Sequence, residues 1–230
     1  MTDRVPPIDR LPVPRAVLFD LDGTLVDTVK TRIQAWETAF AEMGMATHRD
    51  RLAPLIGLDG RRLATEIAAL NGDVIGHDRA EAIDRRSGEI YAGLNSAPRP
   101  LPGVKRVVAA LERRGIPWAI ATSSRAAQVA TSVNALGLER EPMIVDASHV
   151  RHAKPEPDLL LFAARQLHLA PATCWYVGDS TWDMVSAVAA GMVAIGVTAG
   201  SAVNADALAG AGAGTVVGTL DEVADAIDAR

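Results

Sequence analysis

Six short apolar runs punctuate the chain: Ala16-Val17-Leu18-Phe19, Pro117-Trp118-Ala119-Ile120-Ala121, Met143-Ile144-Val145, Cys174-Trp175-Tyr176-Val177, Val193-Ala194-Ile195-Gly196-Val197 and Thr215-Val216-Val217. Each has the brevity and near-continuous apolarity of a strand buried on both faces. Helical patterns separate the later runs. Val104, Val107, Val108 and Leu111 form one stripe, opened by Leu101-Pro102-Gly103 and closed by Gly115. Val129, Val133 and Leu136, followed by Gly137, form another. Strand–helix–strand alternation predicts a parallel sheet covered on both faces. With a first strand at residues 16–20, the fold class is α/β with a Rossmann-like core. Such sheets bind ligands at the carboxyl ends of their strands, where strand order reverses.

The segment 28–97 breaks this rhythm. Ile33, Trp36, Ala39, Phe40 and Met43 recur at helical spacing, as do Leu63, Ile67 and Leu70 and, more loosely, Ile83, Ile90 and Leu94. No strand pattern interrupts them. This segment is read as an inserted all-helical cap domain, with Ala97-Pro98-Arg99-Pro100 as its return hinge. Residues 15–27 and 98–230 then make the Rossmann-like catalytic core, and residues 1–14 a loose, flexible N-terminal extension. An insertion at this point hangs over the strand ends and can serve as a lid. A plain helical subdomain without a gating role is the alternative. The Ala/Gly-rich stretch 200–214 reads as a loop or a weak helix.

The sequence has 230 residues, formal net charge −5 and 49% hydrophobic residues, enough for a core without disulfides. Its single cysteine, Cys174, rules out disulfides within the chain, and its apolar setting reads as core packing. Mild acidity without a Lys/Arg block argues against a nucleic-acid partner. No segment has the character of a signal peptide or the length of a membrane span, so the expected location is cytoplasmic and no membrane partner is expected. Oligomeric state is left open between monomer and homodimer.

The chemistry gathers at strand ends. The first run leads into Asp20-Leu21-Asp22-Gly23-Thr24, two carboxylates two residues apart. Anions so close repel unless a cation or proton lies between them, so this pattern points to a metal site. It also offers one carboxylate to attack and another to move protons. Thr122-Ser123-Ser124 follows the second run and makes a possible anion cradle, although alone such a segment is more often just a helix N-cap. Lys154, held in Lys154-Pro155-Glu156-Pro157, can carry an ammonium to a phosphate or lie on the surface at a helix start. Asp179 and Asp183 follow the fourth run, four residues apart at the start of a helix. Asp27 is expected to be a helix N-cap.

The order DxDGT, Thr-Ser, Lys-Pro and GDxxxD, each at its own strand end, resembles the haloacid dehalogenase-like superfamily of phosphohydrolases. The helical insertion is similar to that superfamily's small cap. The opening Asp20-Leu21-Asp22-Gly23-Thr24-Leu25-Val26-Asp27-Thr28 and the closing Gly178-Asp179-Ser180-Thr181-Trp182-Asp183-Met184 are similar to the phosphoglycolate phosphatases and β-phosphoglucomutases. The resemblance spans about residues 15–227.

That resemblance implies a phosphatase acting on a small phosphorylated metabolite. Asp20 would be the nucleophile and Asp22 the general acid/base. Mg²⁺ would be held by the Asp20 side chain, the Asp22 backbone carbonyl and Asp179, with Asp183 in support. Thr122, Ser123 and Lys154 would bind the phosphoryl group. Gly23 would give the loop its freedom, and Thr24 would hold Asp22. The stretch Ile56-Gly57-Leu58-Asp59-Gly60-Arg61-Arg62 resembles the cap specificity loop. There Arg61 or Arg62 would reach an anionic substrate, or both would be solvated. Ser123 stands where relatives often carry Asn, which leaves leaving-group contacts open. Dehalogenase relatives lack the Asp22 equivalent. Two rivals remain: a phosphomutase using the same core, and a receiver-like signalling module phosphorylated on aspartate.

Overall fold

The computed structural model describes residues 6–230. Strands β1 (Ala16–Phe19), β2 (Trp118–Ala121), β3 (Met143–Val145), β4 (Cys174–Gly178), β5 (Val193–Val197) and β6 (Thr215–Val217) form one sheet in the order β3-β2-β1-β4-β5-β6. All its pairings are parallel. The α/β, Rossmann-like expectation therefore holds, strand by strand. Because side chains alternate along a strand, each run feeds two cores. Val17, Phe19, Trp175 and Val177 face one side, where α5 (Val104–Arg113) and α10 (Leu220–Asp228) cover them. Ala16, Leu18, Cys174 and Tyr176 face the other, under α7 (Asp158–Gln166) and α8 (Thr181–Ala189). Cys174 is buried there, as its apolar run implies.

Between β1 and α5 lie α1 (Val29–Glu42), α2 (Arg49–Leu52), α3 (Gly60–Leu70) and α4 (His77–Leu94), with no strand among them. They enclose a third core of Ile33, Trp36, Phe40, Leu63, Ile67 and Ile83. Leu70 and Leu94, expected in those stripes, are instead exposed, since each ends its helix beyond the last packed turn. The segment leaves and re-enters the sheet side by side: Asp27 N–H donates to Arg99 O at 2.9 Å and Leu101 N–H to Leu25 O at 2.9 Å. The remaining helices are α6 (Ala126–Ala135), after β2, and α9 (Ala205–Gly210), in the Ala/Gly-rich stretch.

Residues 1–5 of the N-terminal extension lie outside the described residues, and the rest of it is hydrogen-bonded to the core. Trp175 Nε1 donates to Pro12 O at 3.0 Å, and the Arg230 guanidinium donates to Leu11 O at 2.8 Å and Ile8 O at 2.9 Å. The carbonyls of a proline-rich stretch have no ladder partners, and these donors satisfy them. Asp27 is exposed and is not the cap of α1. Thr28 takes that position, but its hydroxyl donates to Asp22 instead of capping the helix.

Candidate active site

The carboxyl ends of β1 and β4 sit at the middle of the sheet, where successive connections run outward in opposite directions. They carry Asp20 and Asp179, and α8 brings Asp183 beside them. These three buried aspartates offer oxygens that all lie within 4.8 Å of one another. Lys154, fully buried, donates to Asp20 Oδ1 at 2.6 Å and pairs with Asp183 Oδ1 at 2.7 Å. With all groups ionised, three carboxylates against one ammonium leave a formal charge of −2 out of reach of water.

The electrostatics follow from that crowding. Burial pushes the Asp20 carboxyl up to about 7, with Lys154 pulling it down and Asp183 pushing it further up. Burial, then Asp183 and Asp20, hold Asp179 well above the usual carboxylate range. Lys154 goes the other way in effect: burial disfavours its charge, but Asp183 and Asp20 outweigh burial and raise its pKa. The donor set fits a hard divalent cation, because carboxylate oxygens are its preferred ligands and a +2 charge cancels the excess. Asp183 is the least free of the three. Its oxygens already take Tyr176 Oη at 2.9 Å, Ser180 N–H at 2.9 Å, Ser180 Oγ at 2.7 Å and Lys154. Among the described residues, the Asp179 carboxylate receives only the Thr24 hydroxyl, at 3.0 Å. Asp20 and Asp179 therefore have open lone pairs, and Asp183 braces Lys154 and the start of α8.

Asp22 stands two residues after Asp20 in the loop that follows β1. Its carboxylate accepts from Thr28, Arg32, Tyr91 and Ser124 at 2.7–2.8 Å. Burial raises its pKa, but Arg32, Thr28 and Ser124 outweigh burial and hold it below the usual value. Thr24 thus holds Asp179, not Asp22 as expected. The loop can turn back closely against the Asp179 carboxylate because Gly23 has φ +86° and no side chain. A Cβ there would overlap the Asp179 carboxylate and Val29, and an L-residue would be strained in any case.

Between sheet and helices lies a cavity of about 60 Å³. Its polar end is Asp20, Asp22, Thr122, Ser123 and Lys154, and its apolar wall includes Trp36, Ile56, Leu58 and Leu63. Thr122 Oγ1 accepts from Ser124 N–H at 3.1 Å. The Ser123 hydroxyl is buried with no partner among the described residues, an orphan donor facing the space where an anion would lie. The helical segment closes on this end directly: Asp59 N–H donates to Lys154 O at 3.0 Å, and Trp182 Nε1 donates to Pro54 O at 2.8 Å.

Asp20, Asp22, Thr122, Ser123 and Asp179 follow strand ends, Asp183 joins them from α8, and Lys154 reaches them from the loop nine residues beyond β3. Arg61 and Arg62 do not join them. Arg61 pairs with Asp59 at 3.3 Å and lines a neighbouring open cleft of about 540 Å³, and Arg62 lies 3.9 Å from Glu156. Arg32 and Tyr91 escaped sequence reading, as did the bonds that Thr28 and Ser124 make to Asp22. For Arg32 a signal existed: it stands one helical turn after Thr28, on the same face of α1. Tyr91 carries none, since 69 residues separate it from Asp22.

Comparison with known proteins gives a consistent answer. The family model described as "Haloacid dehalogenase-like hydrolase" matches residues 17–197. The chain is 35% identical over 218 residues to "Probable phosphatase IndB" of Dickeya dadantii (strain 3937), covering 93% of each chain. It is 30% identical over 191 residues to the "Beta-phosphoglucomutase" of Bacillus subtilis (strain 168), covering 81% of this chain and 84% of that one. A crystal structure of a hydrolase from Pseudomonas syringae superposes with a TM-score of 0.87 at 28% identity, covering 93% of this chain and 98% of that one.

Proposed function

The chain belongs to the haloacid dehalogenase-like hydrolases and is a phosphatase, and we propose that it hydrolyses small phosphorylated metabolites through an aspartyl-phosphate on Asp20, with Mg²⁺ as cofactor. The observation that carries this reading is the meeting of three features in one cavity. These are a buried carboxylate at Asp20, a buried ammonium 2.6 Å from it, and an unpaired Ser123 hydroxyl.

Asp20 attacks phosphorus, forming the new P–O bond as the ester P–O bond breaks in line. Lys154 and the Ser123 hydroxyl take the phosphoryl oxygens, whose charge redistributes in the transition state. Asp22 takes up a proton from solvent when one of its donors turns away, and gives it to the departing alkoxide. It then takes a proton from water, which attacks the aspartyl-phosphate, frees phosphate and regenerates Asp20. Positioned proton transfer of this kind contributes about 10²–10⁴-fold. Asp20, Asp179 and the Asp22 backbone carbonyl would hold Mg²⁺, with Asp183 bracing them; when bound, it shields the phosphoryl charge from the attacking carboxylate. The apolar wall from Trp36, Ile56, Leu58 and Leu63 excludes bulk water, and we read residues 28–97 as the cap that supplies it. The open cleft beside Arg61 and Arg125 leaves room for a polar leaving group.

A panel of phosphorylated metabolites, assayed for phosphate release with Mg²⁺ and with EDTA, tests the reading. Turnover of at least one alkyl phosphate that EDTA abolishes is expected. Silence across the panel, or full activity in EDTA, removes it. The mutase relative makes one control necessary: β-glucose 1-phosphate should yield free phosphate rather than glucose 6-phosphate. The family assignment sets aside the receiver-module reading.

The acid cluster also predicts a link between pH, metal and stability. Asp20 and Asp179 bind protons more tightly folded than unfolded. In the metal-free protein their contribution therefore falls as pH rises from about 4 through about 7. Mg²⁺ competes with those protons, so its stabilising effect grows as they leave. The gain in Tm from Mg²⁺ should be larger at pH 8 than at pH 5. A gain that is equal at both, or larger at pH 5, contradicts the cluster as the metal site.

A further inference from the structure

Asp22 is held from four directions. Oδ1 accepts from Thr28 Oγ1 at 2.7 Å and Tyr91 Oη at 2.8 Å, and Oδ2 from Arg32 Nη2 and Ser124 Oγ, both at 2.7 Å. An ionised carboxylate has about four acceptor sites, so its capacity is full. Two of the donors act together. The Arg32 guanidinium lies over the Tyr91 ring, 3.5 Å from its centroid. Arg32 also donates to Ser124 Oγ at 2.5 Å and Gln128 Oε1 at 3.1 Å. Tyr91 is buried, and its hydroxyl lies 3.5 Å from Ser132 Oγ, which accepts from Asn95 Nδ2 at 3.0 Å. A connected polar network thus ties α1, α4 and α6 to one carboxylate, and each member restricts the next.

We propose that Arg32 and Tyr91 form a stacked positioning unit that aims the Asp22 carboxylate at the leaving group. The orientation of the acid/base is then set by helices α1 and α4 as well as by the β1 loop. This rests on the phosphatase reading above. A proton reaches or leaves Asp22 only when one donor withdraws. Arg32 and Ser124 line the cavity, whereas Thr28 and Tyr91 do not. A substrate therefore meets Oδ2, while Tyr91 stays on Oδ1 as the fixed arm. Arg32 can turn toward a substrate oxygen and still keep Gln128 as an acceptor.

Leaving-group chemistry tests this. p-Nitrophenolate departs without a proton, whereas an alkoxide needs one. kcat/KM reports the steps through the first phosphoryl transfer, so it isolates the acid role of Asp22. The probes are p-nitrophenyl phosphate and the fastest alkyl phosphate of the metabolite panel. Tyr91→Phe keeps the ring over Arg32 and removes only the hydroxyl. It should lower the alkyl-to-aryl ratio of kcat/KM by about tenfold or more. Arg32→Met should lower it at least as far, but it strips a charge partner from buried Asp22. If that variant does not fold, Tyr91→Phe decides. A Tyr91→Phe ratio within about threefold of wild type, whether both rates hold or both fall together, overturns the proposal. Wild-type protein that releases phosphate from neither ester sinks the phosphatase reading itself. Wild-type turnover with an unmoved ratio sinks only the positioning role.

Discussion

Asp20→Asn should abolish phosphate release while leaving the protein at least as resistant to heat as the parent. The amide keeps the shape of the carboxyl group but cannot attack phosphorus, so kcat should fall by about 10³-fold or more. Stability should move the other way. Burial and the like charge of Asp183 raise the Asp20 pKa, which says that its ionised form is disfavoured in the fold. Asn removes that charge without opening a cavity. It does cost the Asp20–Lys154 pair, but Lys154 keeps Asp183 at 2.7 Å. Steady-state phosphate release and a thermal melt in EDTA separate the two effects. Turnover within about tenfold of wild type would move the nucleophile elsewhere. A melt lowered by several degrees would mean that the Asp20–Lys154 pair stabilises the fold more than the crowding of acids strains it.

Lys154→Met carries the second large effect, and here activity and stability should fall together. Lys154 is fully buried and touches both Asp20 and Asp183. Removing one partner of a buried ion pair typically costs about 3–5 kcal/mol, because the remaining charge has neither water nor a counter-ion. In a domain of this size that corresponds to a Tm lower by on the order of 10 °C. Losing the ammonium beside the phosphoryl site should also cut kcat/KM by about 10²–10³-fold, the usual loss for one preorganised donor. Adding Asp183→Asn removes one stranded carboxylate, so the double variant should melt above the single one yet remain inactive. A Tm shift below about 2 °C in Lys154→Met would mean that the acids relax without their ammonium.

Much of the site was legible because strand ends are local features. An apolar run that stops at a carboxylate announces both the strand and the place where it opens; two such ends carried Asp20 and Asp179, and a third strand end carried Thr122. Lys154 illustrates the limit. Its segment alone fits a solvated lysine, yet its side chain is buried between two aspartates contributed by β1 and α8. Thr24 shows the same limit at short range. Asp22 is its neighbour in sequence, but the turn at Gly23 sends its hydroxyl to Asp179 instead.

Local pattern alone yields the parallel sheet, its alternation with helices, the helical segment after the first strand, and the motif residues near the strand ends. Apolar period and turn chemistry are written residue by residue, so they survive without three-dimensional context. Which donors surround each carboxylate follows from three-dimensional packing instead. The cage of Thr28, Arg32, Tyr91 and Ser124 on Asp22 draws on residues from 6 to 102 positions away. The Thr24–Asp179 bond joins residues 155 apart. Such pairings arise because buried charges must find partners wherever packing places them, and packing is a property of the whole fold.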